Sequence, residues 1–237
     1  MFFKAPVVAA GEKMLPFSNG ETLNYTVSWE MVPAGKATFS VLDFAQPDGK
    51  KGWQFVLDVK SNRYIDFMYK IRDHVEGFSD KAMDHSFFYR KIQSGREKKQ
   101  IEVAFDWNRN TATYSNFGGK RDALPIPLST LDPLSAFYKM RMLDFEAIKD
   151  LSFSITDGKK QFIQKGEVLK KETIYLSSGT WETYLLVPEV NNFSGVFEKS
   201  KDPSVNMWVT ADHRRIPVRI TVKVFIGSVI FELASVN

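Results

Sequence analysis

Cysteine is absent from the 237 residues, which excludes disulfides, zinc–thiolate sites and thiol catalysis. The compartment stays open, because an exported bacterial protein can simply avoid cysteine. No stretch reaches the roughly 18 apolar residues of a membrane-spanning helix, so no transmembrane segment is expected. The opening MFFKAPVVAAG holds an apolar run too short for a signal-peptide core. Residues 1–16 are expected to be an N-terminal extension or the remnant of a trimmed signal.

Histidine is scarce. There are three, each directly after an aspartate: Asp73-His74, Asp84-His85 and Asp212-His213. The spacings that let ligands converge on a metal, H-x-H or H-E-x-x-H, are missing, so no metal and no cofactor is expected. G-x-S-x-G and S-x-x-K are missing as well, and FGGKRD is a lone turn rather than a phosphate cradle. Nothing marks a catalytic pair among the 28 acidic residues. A triad assembled in space would leave no linear trace, so a hydrolase is a third-ranked reading and a non-enzymatic protein the expected one.

Charge of one sign is not concentrated either. Lys and Arg number 32 against 28 acids, a net charge of +4. Basic pairs such as Lys50-Lys51, Lys98-Lys99 and Lys159-Lys160 sit beside turn residues in PDGKK, SGREKK and TDGKK and read as solvated loop tips. A nucleic-acid reader would gather its charge on one face among stacking aromatics, so no nucleic-acid partner is expected.

Aromatic residues are plentiful at 14%, and they alternate. In LNYTVSW, Leu23, Tyr25, Val27 and Trp29 share one face, the period-two pattern of a strand with one dry side. The alternation resumes after VPAGK and again after QPDGKKG. It continues through FMYKIRDHVEGF, SFFYRKIQ, KQIEVAFDW and TATYSNF, separated by short turns, as in an antiparallel meander. GGKRDALPIPLSTLDP breaks the pattern with prolines. LDPLSAFYKMRML then reads as a helix, capped by Asp132 with Pro133 at its first position. Leu134, Phe137, Tyr138 and Arg141 share one face of it. Strands return at 151–156, 161–176, 180–188, 205–210, 216–225 and 228–233, with a polar surface loop from Asn191 to Ser204.

The expected fold is mainly β: a single-domain antiparallel meander forming a curved, partly open barrel with one short central helix at about 133–143. Residues 17–237 make that domain, divided into an N-terminal meander (17–123), a proline-rich linker with the helix (124–150) and a C-terminal meander (151–237).

Two stretches invite a functional reading. WVTADHRRIPVRI sets Asp212, His213, Arg214 and Arg215 side by side, but neighbours in a strand or turn point apart, so a polar hairpin tip is expected. Arg219 lies on the opposite side of its strand from Val218 and Ile220. Arg141 stands where the helix face calls for an apolar residue. Either its stem packs on the core while its head reaches water, or it is a cation at a cavity mouth, binding a carboxylate or phosphate head group with help from the Tyr138 hydroxyl. The interior is filled by its aromatics or leaves room for one apolar ligand.

The order of motifs resembles a family of exported bacterial proteins known as a domain of unknown function. G-E-x-L-x-Y and a following A-G are matched by Gly20, Glu21, Leu23, Tyr25, Ala34 and Gly35. D-x-L-S-A-F-Y-x-x-R is matched by Asp132, Leu134, Ser135, Ala136, Phe137, Tyr138 and Arg141. W-V-x-x-D with R-x-P-V-R is matched by Trp208, Val209, Asp212, Arg215, Pro217, Val218 and Arg219. Met140 departs from a more usual leucine, a volume-conserving change. The resemblance implies export, a life in the periplasm or at the outer membrane, and a partly open antiparallel barrel loosely similar to lipoprotein carriers. It brings no catalytic residue.

The expected function is therefore a cell-envelope protein holding a lipid or other amphiphile, with Arg141, Tyr138 and Arg219 near the polar head. The alternative is a scaffold with a filled core that binds an envelope protein through an edge strand or the Asn191–Ser204 loop.

Overall fold

The alternation of LNYTVSW becomes, in a computed structural model, strand β1 (Thr22–Trp29), which buries Leu23, Tyr25 and Val27 and exposes Thr26. The structure describes residues 15–45, 49–190, 203–224 and 227–237. β2 (Val32–Ala45) and β3 (Lys51–Ser61) follow, then a short helix α1 (Arg63–Tyr69). Next come β4 (Arg72–Asp80), β5 (Ser86–Ser94), β6 (Lys98–Asp106) and β7 (Thr111–Asn116). Three two-residue strands, β8 (Gly119–Lys120), β9 (Leu124–Pro125) and β10 (Thr130–Leu131), lead to helix α2 (Pro133–Arg141). The C-terminal meander is β11 (Asp150–Thr156), β12 (Gln161–Leu176), β13 (Gly179–Pro188), β14 (Ser204–Thr210), β15 (Pro217–Val224) and β16 (Gly227–Val236).

All sixteen strands form one sheet, running from β10 through β16 to β1 and on to β8, with β9 beside β7. The two meanders join because β1 pairs antiparallel with β16, from Leu23↔Val236 to Trp29↔Val229. A sheet this long must curl to bury its apolar face. It does not close by strand pairing. The proline-rich segment bridges the gap instead: β9 pairs with β7, and β10 pairs in parallel with β11. The turn between β11 and β12 completes the contact. Gly158 there, at φ +80°, lies so near β6 that a Cβ would fall 2.8 Å from a Val103 methyl.

The mainly-β, curved, partly open fold is as the alternation implies, with two differences. A second helix, α1, replaces the start of the expected FMYKIRDHVEGF strand. The Asn62 side chain accepts hydrogen bonds from Tyr64 N and Ile65 N, each at 3.0 Å, and so nucleates a turn. Three two-residue strands, β8, β9 and β10, form where the prolines break the alternation.

α2 lies inside the curl and is apolar on more than the one expected face. Leu134 and Tyr138 join the cluster around Phe17, Tyr25, Phe39 and Phe55. Met140 joins a second cluster with Leu186, Met207 and Val209, and Ala136 a third with Leu131 and Ile155. A helix wrapped by a sheet must satisfy neighbours all round. Residues 1–14, most of the expected N-terminal extension, and 191–202, most of the expected polar loop, lie outside the described residues.

Candidate functional site

Strand direction gives the barrel two ends. The β1–β2 turn, α1 and the β5–β6 turn gather at one, since Gly35 pairs with Ser61 and Lys60 with Arg72. The β4–β5 and β14–β15 turns lie at the other. α2 stops up that second end: Lys139 Nζ reaches Asp84 at 3.1 Å, and Arg141 reaches the Arg214 carbonyl.

The N-terminus of α2 is anchored by Asp132, which is fully buried. Its Oδ1 accepts from Leu134 N and Ser135 N, each at 2.9 Å, and its Oδ2 from the hydroxyls of Ser86 (2.6 Å) and Ser135 (2.5 Å). Burial pushes this carboxyl above its ordinary range, and the donors pull it back only in part. Gly77 leaves the space, for a Cβ there would sit 2.6 Å from Asp132 Oδ1.

The C-terminus is anchored by Arg141, and neither reading from the sequence matches its surroundings. The side chain is 0% exposed. Its guanidinium donates to both carboxylate oxygens of Glu21 (2.5 and 2.9 Å), to the Pro16 carbonyl (2.8 Å) and to the Arg214 carbonyl (2.9 Å). It is closed off from solvent and lines neither of the two cavities beside α2. Tyr138 stacks on Phe55 with ring centroids 4.1 Å apart, and its hydroxyl has no hydrogen-bond partner among the described residues. Burial pushes both Tyr138 and Tyr25 above the ordinary phenol value. Arg219 stands on the outer face, donating through Nε to Glu232 Oε1 at 2.9 Å on the neighbouring strand. The structure thus brings Tyr138 near Arg141 but leaves Arg219 apart.

The unpaired Tyr138 hydroxyl allows a direct check. Tyr138→Phe is expected to be neutral or stabilising by up to about 1 kcal/mol, since it removes a buried group that makes no bond. Tyr25→Phe, which loses a 2.6 Å bond to the Pro217 carbonyl, should destabilise by about 1 kcal/mol. Urea unfolding of the two variants side by side separates them.

Between α2 and the first end the packing is incomplete. One cavity of about 370 Å³ lies against α2, lined by Ala136, Phe153, Phe162 and Gln164 among others. A second, also about 370 Å³, lies between Phe39, Leu57, Val59 and Val75 on one side and Ile220 and Phe231 on the other. Pro133, Phe137, Val205 and Met207 border both, so the two adjoin. The second has one charged lining residue, Lys91. Lys91 follows Tyr89 on the inner face of β5 and is about one-third exposed, which places it at the mouth. Burial pushes its ammonium below the ordinary lysine range, opposed by Asp73 at 4.0 Å. Sequence reasoning missed Lys91. Apolar residues line both faces of SFFYRKIQ, so the alternation does not tell which face turns inward.

The histidines do not converge. His74 bonds Asp58 at 2.7 Å on the outer face, His85 lies 3.4 Å from Asp80, and His213 is exposed at the hairpin tip. Among the described residues no three His, Asp or Glu side chains form a metal-binding group. The ADHRR tip is the polar turn expected, with Asp212 accepting from Thr210 Oγ1 and from the Arg214 side chain.

Fold and interior define a class: an unclosed, mostly antiparallel sheet curled about one central helix, barrel-like, with a largely apolar hollow beside that helix. Within it, the chain belongs to the family described as protein of unknown function DUF3108, whose model matches residues 24–234. Among solved structures it is similar to the β-barrel-like protein of domain of unknown function DUF1849 from Brucella abortus. That match has 9% identity and a TM-score of 0.55, covering 92% of this chain and 97% of that one, and the likeness is one of fold. A provisionally named lipoprotein from Parabacteroides distasonis is similar at 11% identity and a TM-score of 0.33, over 94% of this chain and 97% of that one. No curated protein matches the sequence.

The three motifs that carry the sequence resemblance meet in space. Glu21 of the first clamps Arg141 of the second, which also holds the Arg214 carbonyl beside the third, while Tyr25 of the first bonds Pro217 of the third. Those contacts lie at the closed end of the barrel, away from the cavity mouth.

Proposed function

We propose that the protein is a non-enzymatic component of the cell envelope, in the periplasm or at the outer membrane. It holds an amphiphile with its apolar part in the hollow beside α2 and its anionic head at Lys91. One observation carries this reading: two adjoining, largely apolar cavities, each of about 370 Å³, with Lys91 the one charged residue lining the second and Asp157, Lys160 and Lys165 at the rim of the first. Protein interiors are normally dense, so a hollow of this size calls for an occupant. Its volume and apolar walls with a few polar groups suit a small-molecule site. An anionic head would also offset the burial that lowers the Lys91 pKa. Affinity for it is therefore present while Lys91 is protonated and weakens as pH rises through that lowered value.

The test uses a fluorescent fatty acid, cis-parinaric acid, titrated into the purified chain. Saturable binding is expected, with Kd raised roughly tenfold or more by Lys91→Met, the worth of one hydrogen bond to a charged group. Val205→Phe, which fills the wall common to both cavities, should abolish it. Solvent extraction of the protein from its native envelope, followed by mass spectrometry, should yield an amphiphile in stoichiometric amount. A clean extract together with no probe binding by well-folded protein would sink the reading. The scaffold alternative would then stand, favoured by the exposed aromatic residues of α1.

A further inference from the structure

The end of the barrel that carries α1 displays apolar side chains the fold does not use. α1 buries no residue of its own. Phe67 is 95% exposed and Tyr64 84%. Met31, at the adjacent β1–β2 turn, is 94% exposed. The two segments are tied together, since Asn62 donates from Nδ2 to the Pro33 carbonyl and from its backbone N to the Ala34 carbonyl. Single exposed apolar residues are ordinary, whereas a cluster marks a contact surface. Polar groups hold the helix in place: the Asn62 cap and the Asp66 carboxylate bound to Arg72 and Ser61. Arg72 foremost, then Ser61, holds the Asp66 carboxyl below the usual range. Tyr64 and Phe67 could be polar without loss to the monomer.

Cations outnumber acids beside them. Lys36 and Lys60 stand opposite each other across β2 and β3, and Lys60 stands opposite Arg72 on β4. Like charges in register weaken a sheet. Arg63 opens α1 and Lys70 caps its end. Among the described residues none of Lys36, Lys60, Arg63 and Lys70 is paired with an acid, while the acids nearby are engaged. Asp66 binds Arg72, Glu97 binds Lys99, and Glu30 accepts from Ser228 N at 2.6 Å.

We propose that this end of the barrel docks on an anionic phospholipid surface. Phe67, Tyr64 and Met31 enter the headgroup region, and Lys36, Lys60, Arg63 and Lys70 face the lipid phosphates. Tyrosine suits that boundary, with an apolar ring and a wet hydroxyl. No helix among the described residues is long and apolar enough to cross a membrane, and this docking needs none. It stands independently of the cavity reading, because no residue in it lines the hollow beside α2.

The experiment is co-sedimentation of the full chain with phosphatidylcholine vesicles, with and without about 30% phosphatidylglycerol. Binding is expected to the anionic vesicles and not the neutral ones, and to fall as salt is raised. Lys36→Gln with Lys60→Gln should weaken it roughly 30-fold, at about a factor of five for each cation near such a surface. Tyr64→Ser with Phe67→Ser should weaken it at least about tenfold by removing apolar area. All four positions are exposed, so circular dichroism and parinaric-acid binding should stay as in the parent protein. Failure here with the probe still bound overturns the docking alone. Equal binding to both vesicles, or variants that bind like the parent, overturn it. Binding to neither vesicle also overturns it and makes an acidic protein surface the occupant to seek.

Discussion

Arg141→Ala is expected to destabilise the protein by about 3–5 kcal/mol, the range for breaking one side of a buried ion pair. The guanidinium is wholly enclosed, and the Glu21 side chain is only 11% exposed. Truncation would leave that carboxylate without its cation and the Pro16 and Arg214 carbonyls without a donor. For a chain of this size such a loss lowers Tm by roughly 10 °C. Arg141→Lys should recover little, because an ammonium cannot meet both oxygens of Glu21 and two carbonyls at once. The double replacement Arg141→Met with Glu21→Leu should recover most of the loss, since no charge is then stranded. Urea and thermal unfolding measure all three. An Arg141→Ala protein within about 1 kcal/mol of the parent would deny the clamp its structural role. Lost probe binding without lost stability would return Arg141 to the ligand site expected from the sequence.

Asp132→Ala is expected to cost about 3 kcal/mol. Loss of a helix N-cap accounts for about 1 kcal/mol. The rest comes from the Ser86 and Ser135 hydroxyls, buried donors that would lose their acceptor. Asp132→Asn separates charge from capping: Oδ1 can still accept from Leu134 N and Ser135 N, while the amide meets two hydroxyls that had been donors. The charge also sets a pH dependence. Burial raises the folded pKa above the unfolded value of about 3.9. Between those two values the folded state holds the proton more tightly, so this group's contribution to stability falls as pH rises through the window. In Asp132→Asn that slope should vanish. An unchanged slope would assign the pH response to another group.

How far the sequence reaches can be read from particular residues. The run RYIDFMY alternates Ile65, Phe67 and Tyr69 as a strand would, yet it is helical because Asn62 supplies a cap and the segment turns a corner between β3 and β4. Lys91 is invisible as a mouth residue, because Phe88 and Ile92 make the other face of β5 equally apolar. Arg141 stands out against its helix face, and its importance is legible. Its partner is not. Glu21 lies 120 positions away.

The sequence by itself determined the local matters. Period-two alternation set the strands and the mainly-β class, and Asp132-Pro133 set the start of α2. The order of three motifs pointed to the family. Each rests on the conformational preferences of residues a few positions apart. The tertiary structure alone decided that β1 pairs with β16, that three distant motifs lock the closed end, that a hollow remains beside α2 and that Lys91 lines it. Burial and hydrogen-bond satisfaction depend on which distant groups arrive at the same place, and no local pattern encodes that.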